Sequence, residues 1–194
     1  MAELNRLFFA LWPTEAVRRA ADEAARGLRM KMQPGGYLSA PERYHVTLLF
    51  LGDTVPAAQE AAARAAAAKL RAAPFELQLD LASSFPRNRE IPWWLGPRET
   101  PAALSAFYEA LREQMVAGGV TPERLRFVPH LTILRNARLA LPPTPITPIP
   151  WRVDEFVLVR SRLDLKPVEY ELLERWPLRG AEPPPPPPQL SLWG

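Results

Sequence analysis

Two histidines are all this chain contains, and both open the same short pattern, His45-Val46-Thr47-Leu48 and His130-Leu131-Thr132-Ile133. With 8 threonines in 194 residues, a threonine two places after each histidine is not a product of composition. In an extended strand successive side chains alternate between faces, so His45 shares a face with Thr47 while Val46 and Leu48 turn to the core. His130 and Thr132 repeat the arrangement. An imidazole with an unperturbed pKa near 6.5 takes a proton in one state and gives one in the other at neutral pH. Two of them, each with a hydroxyl on the same face, form a paired proton donor and acceptor with two hydrogen-bond donors for an oxyanion. A purely structural histidine needs no threonine at a fixed offset and no second copy 85 positions on.

The remaining composition narrows the chemistry. Without cysteine there is no thiolate nucleophile, disulfide or zinc–thiolate cluster. Two histidines and no carboxylates at ligand spacing leave little for a metal site, so neither metal nor cofactor is expected. The N-terminus lacks the succession of a signal peptide, and no apolar run has the length of a membrane span. A soluble cytoplasmic protein, monomeric and without membrane contact, is the expectation. Net charge is only +3, but 21 arginines stand against 3 lysines. The guanidinium fork suits phosphate, although a genome rich in alanine and proline codons gives the same bias.

The elements that must hold the two motifs can be traced along the chain. Residues 4–11 read as a strand, and Thr14 as the N-cap of an alanine-rich helix ending near 27–30. A loop over 31–43 leads to the first motif strand at 44–51. Residues 56–73 read as a helix, 75–81 as an alternating strand, 83–89 as a polar turn and 91–95 as a strand. A third helix spans 100–116, closed by Gly118-Gly119. The second motif strand covers 126–135, with Pro129 placing its start at an edge or bulge. Five prolines make 141–150 read as a connecting loop, before long strands at 151–163 and 168–176. The domain is expected to span residues 1–179, and residues 180–194, with Pro183 to Pro188, read as a disordered proline-rich tail.

On these residues the chain resembles the two-histidine (2H) phosphoesterases. The segments His45-Val46-Thr47-Leu48-Leu49-Phe50-Leu51-Gly52 and Phe127-Val128-Pro129-His130-Leu131-Thr132-Ile133-Leu134-Arg135 look like the two family signatures. Phe8-Phe9-Ala10, Pro41-Glu42-Arg43-Tyr44 and Trp94-Leu95-Gly96 support the order and spacing. The branch most similar is that of the RNA 2′,3′-cyclic phosphodiesterases, historically labelled 2′-5′ RNA ligases. Where that family often carries a basic residue, this chain reads Ile91-Pro92-Trp93.

The resemblance implies an α/β (α+β) fold of two pseudo-symmetric lobes. Each has a mostly antiparallel sheet with outer helices, and the motif strands face a central cleft. It implies His45 as proton donor and His130 as proton acceptor, although the duplicated pattern alone allows either assignment. The implied substrate is RNA or a nucleotide bearing a 2′,3′-cyclic phosphate, opened to a 2′-phosphate. Thr47 and Thr132 are the expected phosphate contacts. Arg135, five positions after His130, falls on the opposite face of a regular strand and joins them only if the strand twists or ends there. Further candidate substrate contacts are Arg43, Arg87 and Arg89 along an RNA backbone, each otherwise a solvated loop charge. Tyr44 and Phe50 are candidates for stacking on a base, with core packing the alternative for Phe50. Ligation through a 2′-5′ bond is the reverse chemistry at the same site, and a binding module without turnover is a third reading.

Overall fold

The structure, a computed structural model, describes residues 5–85, 90–123, 126–162, 165 and 168–180. Strands β1 (Arg6–Leu11), β2 (Tyr37–Leu38), β3 (Val46–Gly52), β4 (Phe75–Ser84), β5 (Ile91–Gly96), β6 (Leu131–Ala137), β7 (Thr144–Val153), β8 (Glu155–Arg162) and β9 (Glu169–Pro177) form one antiparallel sheet. Its order is β7-β4-β5-β6-β3-β1-β8-β9, with β2 added to β6. Helices α1 (Glu15–Met32), α2 (Ala57–Lys69) and α3 (Ala102–Ala117) complete the fold.

The sheet repeats itself about the joint between β3 and β6. On one side Leu11 pairs with Val46 and Ala10 with Thr47; on the other Leu95 pairs with Leu131 and Trp94 with Thr132. Each motif strand thus lies beside the strand that leads into a helix, β1 into α1 and β5 into α3. This is the two-lobed α/β arrangement the resemblance implied. Strands β3 and β6 meet at Val46 and Leu131, and β2 continues the contact between the lobes along β6.

The helices bury stripes at helical spacing against the sheet. In α1 these are Val17, Ala21, Ala25 and Leu28, and in α3 Leu104, Phe107, Tyr108, Leu111 and Met115. Thr14 caps α1 as read from the sequence, its hydroxyl accepting from the Val17 N–H at 3.3 Å. The main core also takes in Leu7, Phe9, Leu11, Trp93, Leu95 and Trp151. A smaller apolar cluster, Phe8, Ala10, Val157 and Val159, forms separately with Trp12, Phe50 and Tyr170 against it.

Four expectations are corrected. Residues 141–150 are not a loop throughout: β7 starts at Thr144 and runs through Pro145, Pro148 and Pro150. It tolerates them because it is an edge strand bonded on one side only, to β4, where missing N–H groups need not cost ladder bonds. Its inward residues Ile149, Trp151 and Val153 keep a strand's period of two. The strand expected at 151–163 is two strands, broken at Asp154, where the chain leaves one lobe for β8 of the other. Of the turn expected at 83–89, Ser83 and Ser84 belong instead to β4, and Pro86–Arg89 lie outside the described residues. Both motif strands start later than read, at Val46 and Leu131, so each histidine stands at the threshold of its strand. The proline tail also lies outside the described residues.

Candidate active site

Each histidine is held the same way. His45 Nδ1 lies 2.7 Å from the Arg43 carbonyl, and His130 Nδ1 lies 2.7 Å from the Val128 carbonyl. A carbonyl only accepts, so both Nδ1 atoms carry the proton and donate it. Nε2 is therefore the nitrogen of each ring that changes protonation. The bond back to the residue two positions earlier explains why neither histidine sits within a regular strand. For His45 that carbonyl belongs to the last residue of a 3₁₀ turn, Pro41–Arg43.

The Val46–Leu131 pair sets the register of the two motifs. Carried one step each way, it puts His45 across from Thr132 and Thr47 across from His130, all four on the face opposite the buried Val46 and Leu131. The charge of His130 acts on His45, as proximity requires. Neither threonine hydroxyl has a hydrogen-bond partner among the described residues, and both residues are half-buried.

A β-bulge follows in both copies. Phe9 pairs with Leu49 and Ala10 with Thr47, leaving Leu48 as an extra residue in β3. Trp93 pairs with Leu134 and Trp94 with Thr132, leaving Ile133 extra in β6. The bulge resets alternation, so Leu49 and Leu134 turn into the core and the next residues, Phe50 and Arg135, return to the threonine face. Phe50 joins the cluster of Phe8, Trp12 and Tyr170, and Arg135 acts electrostatically on His45. The strand does not end at Arg135, as β6 runs on to Ala137; it is the bulge that returns Arg135 to the threonine face. Phe50 and Arg135 occupy equivalent places in the two lobes.

Other expected contacts separate from the site. Tyr44 is wholly buried in the main core, because the residue before an outward-facing histidine faces inward; it has no surface to offer a base. Arg43 serves the site through its main chain, holding His45. Arg87 and Arg89 lie outside the described residues.

The sequence reading missed the aromatic surround. Around His45 stand Phe8 at 5.0 Å between ring centroids, Tyr170 edge-on at 5.2 Å, and Trp12 nearly parallel at 6.0 Å. Around His130 stand Phe85 edge-on at 4.8 Å and Trp94 at 6.3 Å. Trp94 occupies in β5 the place that Ala10 holds in β1, so each lobe brings an indole to its histidine from a different position. Burial, first of all, pushes the His45 imidazole down from its ordinary 6.5 to about 4. The Arg43 carbonyl opposes this, while Arg135, His130 and Arg18 add to it. His45 is therefore neutral at pH 7 in the free protein. Among the described residues no group of three His, Cys, Asp or Glu side chains is placed to hold a metal, and no helix is long and apolar enough to cross a membrane.

Known proteins resemble this chain in sequence and fold. The RNA 2′,3′-cyclic phosphodiesterase of Escherichia coli is 34% identical over 179 residues, 92% of this chain and 99% of that protein. The enzyme of the same name from Thermus thermophilus is 33% identical over 192 residues, 90% of this chain and 91% of the relative. The crystal structure of E. coli LigT complexed with 3′-AMP superposes with a TM-score of 0.74 at 34% identity, covering 90% of this chain and 98% of that one. Residues 13–165 match the model of the 2′-5′ RNA ligase superfamily, and with relatives this similar over nearly their whole length the chain belongs to that family, in its RNA 2′,3′-cyclic phosphodiesterase branch of the two-histidine phosphoesterases.

Proposed function

We propose that this protein hydrolyses 2′,3′-cyclic phosphodiester ends of RNA to 2′-phosphates by acid–base catalysis between His45 and His130, with no metal taking part. The observation that carries the reading is the Val46–Leu131 register, which gathers both histidines and both threonines on one face. Water attacks phosphorus as His130 Nε2 takes its proton. The P–O3′ bond breaks, and the O3′ leaving group takes a proton from His45 Nε2, which leaves a 2′-phosphate and a free 3′-hydroxyl. Each proton transfer contributes roughly 10²–10⁴-fold. Thr47 and Thr132 donate to the non-bridging oxygens, and Arg135 adds a cation as charge builds there.

The neutral state of free His45 fits this role if its proton arrives with the substrate. A phosphodiester anion beside the ring opposes the effect of burial and raises its proton affinity. Phe50, which holds in its lobe the place that Arg135 holds in the other, offers its ring to the base. Names of relatives that act on RNA ends, and a LigT crystal with 3′-AMP, support the substrate class. Hydrolysis is favoured over 2′-5′ ligation because water outnumbers any ribose hydroxyl at the same trajectory. We take residues 1–179 as the catalytic unit of a cytoplasmic, monomeric enzyme.

The test is incubation of the pure protein with a 2′,3′-cyclic mononucleotide in excess chelator, followed by phosphorus NMR. A 2′-phosphate is expected. A 3′-phosphate, or turnover only when a divalent ion is restored, refutes the reading.

A further inference from the structure

Arg18 is the one charged side chain buried among the described residues, with 8% of its surface exposed. Taking a guanidinium out of water is costly unless partners replace the solvent. Here no carboxylate bonds to it; Glu15 and Glu42 act only at a distance, and Nη2 has no partner. An apolar side chain would fill the place at less cost, so packing alone does not explain an arginine.

Its two contacts both lead to His45. The first turn of α1 fixes the residue, the Arg18 N–H bonding the Thr14 carbonyl at 2.9 Å. From there Nη1 donates to the carbonyl of Pro41. Pro41 opens the 3₁₀ turn whose last carbonyl, on Arg43, holds His45 Nδ1 at 2.7 Å. The guanidinium carbon also lies 4.9 Å from the centre of the Trp12 ring, and that ring lies 6.0 Å from the imidazole with only 13° between the planes. Cation, indole and imidazole are thus layered, and the same cation pins the turn that orients the imidazole from its other side.

We propose that Arg18 is a positioning residue for His45: through the Pro41 carbonyl and the Trp12 ring it fixes the plane in which the imidazole meets the leaving oxygen. The proposal deepens the catalytic reading above and rests on His45 being one of its two proton-transfer groups. The charged and titratable groups that face His45 are Arg135 and His130 from the β6 side, Arg18 from α1 and the Tyr170 ring from β9. Of these four groups, Arg18 acts on His45 through the Trp12 ring, so it orients the imidazole without itself being a phosphate contact.

With only two histidines in the chain, each imidazole gives a separate proton NMR signal, assigned by a His45→Gln variant. Arg18→Met keeps the aliphatic stem and removes both contacts, and Arg18→Lys keeps the charge without the flat fork. Arg18→Met is expected to lower kcat on a 2′,3′-cyclic mononucleotide by about tenfold with KM nearly unchanged, the signature of a misaimed group. The His45 titration midpoint should rise by a few tenths of a unit as a distant like charge is lost. Arg18→Lys should restore the midpoint and leave kcat low. A folded Arg18→Met protein with wild-type kcat and midpoint overturns the proposal. Should that variant not fold, Trp12→Phe takes its place, and unchanged kcat and His45 signal there are equally fatal. If the wild-type protein has no turnover, the catalytic reading has failed instead; the NMR titration still decides whether Arg18 and His45 are coupled.

Discussion

Val46 of β3 pairs with Leu131 of β6, and each is the residue that follows a histidine. The motif strands meet here, at the place where a shift of register would separate the four polar groups. A slip by one residue would turn one motif's histidine and threonine to the core face. The motifs therefore depend on each other's strand as much as on their own.

Leaving-group chemistry separates the two proton roles. His45→Ala should lose about 10²–10⁴-fold in kcat on a cyclic nucleotide, and much less on a p-nitrophenyl phosphodiester whose leaving group needs no proton. His130→Ala should lose activity on both. Steady-state rates on the two substrates check this, and the reverse pattern would exchange donor and acceptor.

Each hydroxyl facing the site should carry part of the phosphate. Thr47→Val and Thr132→Val keep shape and remove one hydrogen bond, at an expected cost of about 1.5–3 kcal/mol in kcat/KM. Since neither group titrates, the limbs of the pH–rate profile should stay in place. Wild-type kcat/KM in a valine variant would show that hydroxyl to be a bystander.

Arg135→Gln should weaken the site twice over. Loss of a charge-assisted contact is expected to cost about 1.5–3 kcal/mol in kcat/KM. The His45 midpoint should also rise, because Arg135 holds it down in the free protein. Enzyme kinetics and imidazole NMR read the two effects independently; a variant that moves neither leaves Arg135 as an exposed strand charge.

Acid should destabilise the fold through His45. Its folded pKa is about 4, against 6.5 in the unfolded chain, so between those values the unfolded state binds more protons. Stability from this group is complete above pH 6.5 and falls as pH drops towards 4, by at most about 3 kcal/mol. Urea unfolding of wild type and His45→Gln at pH 7 and 4.5 isolates it. The variant should lose less stability on acidification, and equal losses would mean that the buried imidazole is not depressed.

What the sequence disclosed, and what it withheld, divides along physical lines. The repeated His-x-Thr pattern was legible because a strand's period of two is local. The α1 cap at Thr14 was legible for the same reason. The bulges had a signal that went unread: Leu48-Leu49 and Ile133-Leu134 put two apolar residues in succession at the same place in both motifs. Read as a break in alternation, it would have returned Phe50 and Arg135 to the site, while plain alternation from His45 already turns Tyr44 to the core. Strand β7 stayed hidden because its prolines outweigh the Ile149, Trp151, Val153 alternation unless the strand is known to lie at an edge. The aromatic walls could not be read at all. Trp12, Phe85 and Tyr170 reach the histidines from strand ends and neighbours fixed only by the tertiary fold.

The prolines of β7 have a further effect, on what happens between molecules. Among the described residues the sheet ends at two margins, β7 and β9, and an edge strand is a template on which another chain could continue the ladder. At one margin Pro145, Pro148 and Pro150 offer no N–H to an incoming strand. At the other, β9 carries Glu169, Glu171, Glu174 and Arg175 along its length, charges that a docking strand would have to desolvate. The imino acids that disguise the strand in the sequence also close that end of the sheet to further growth.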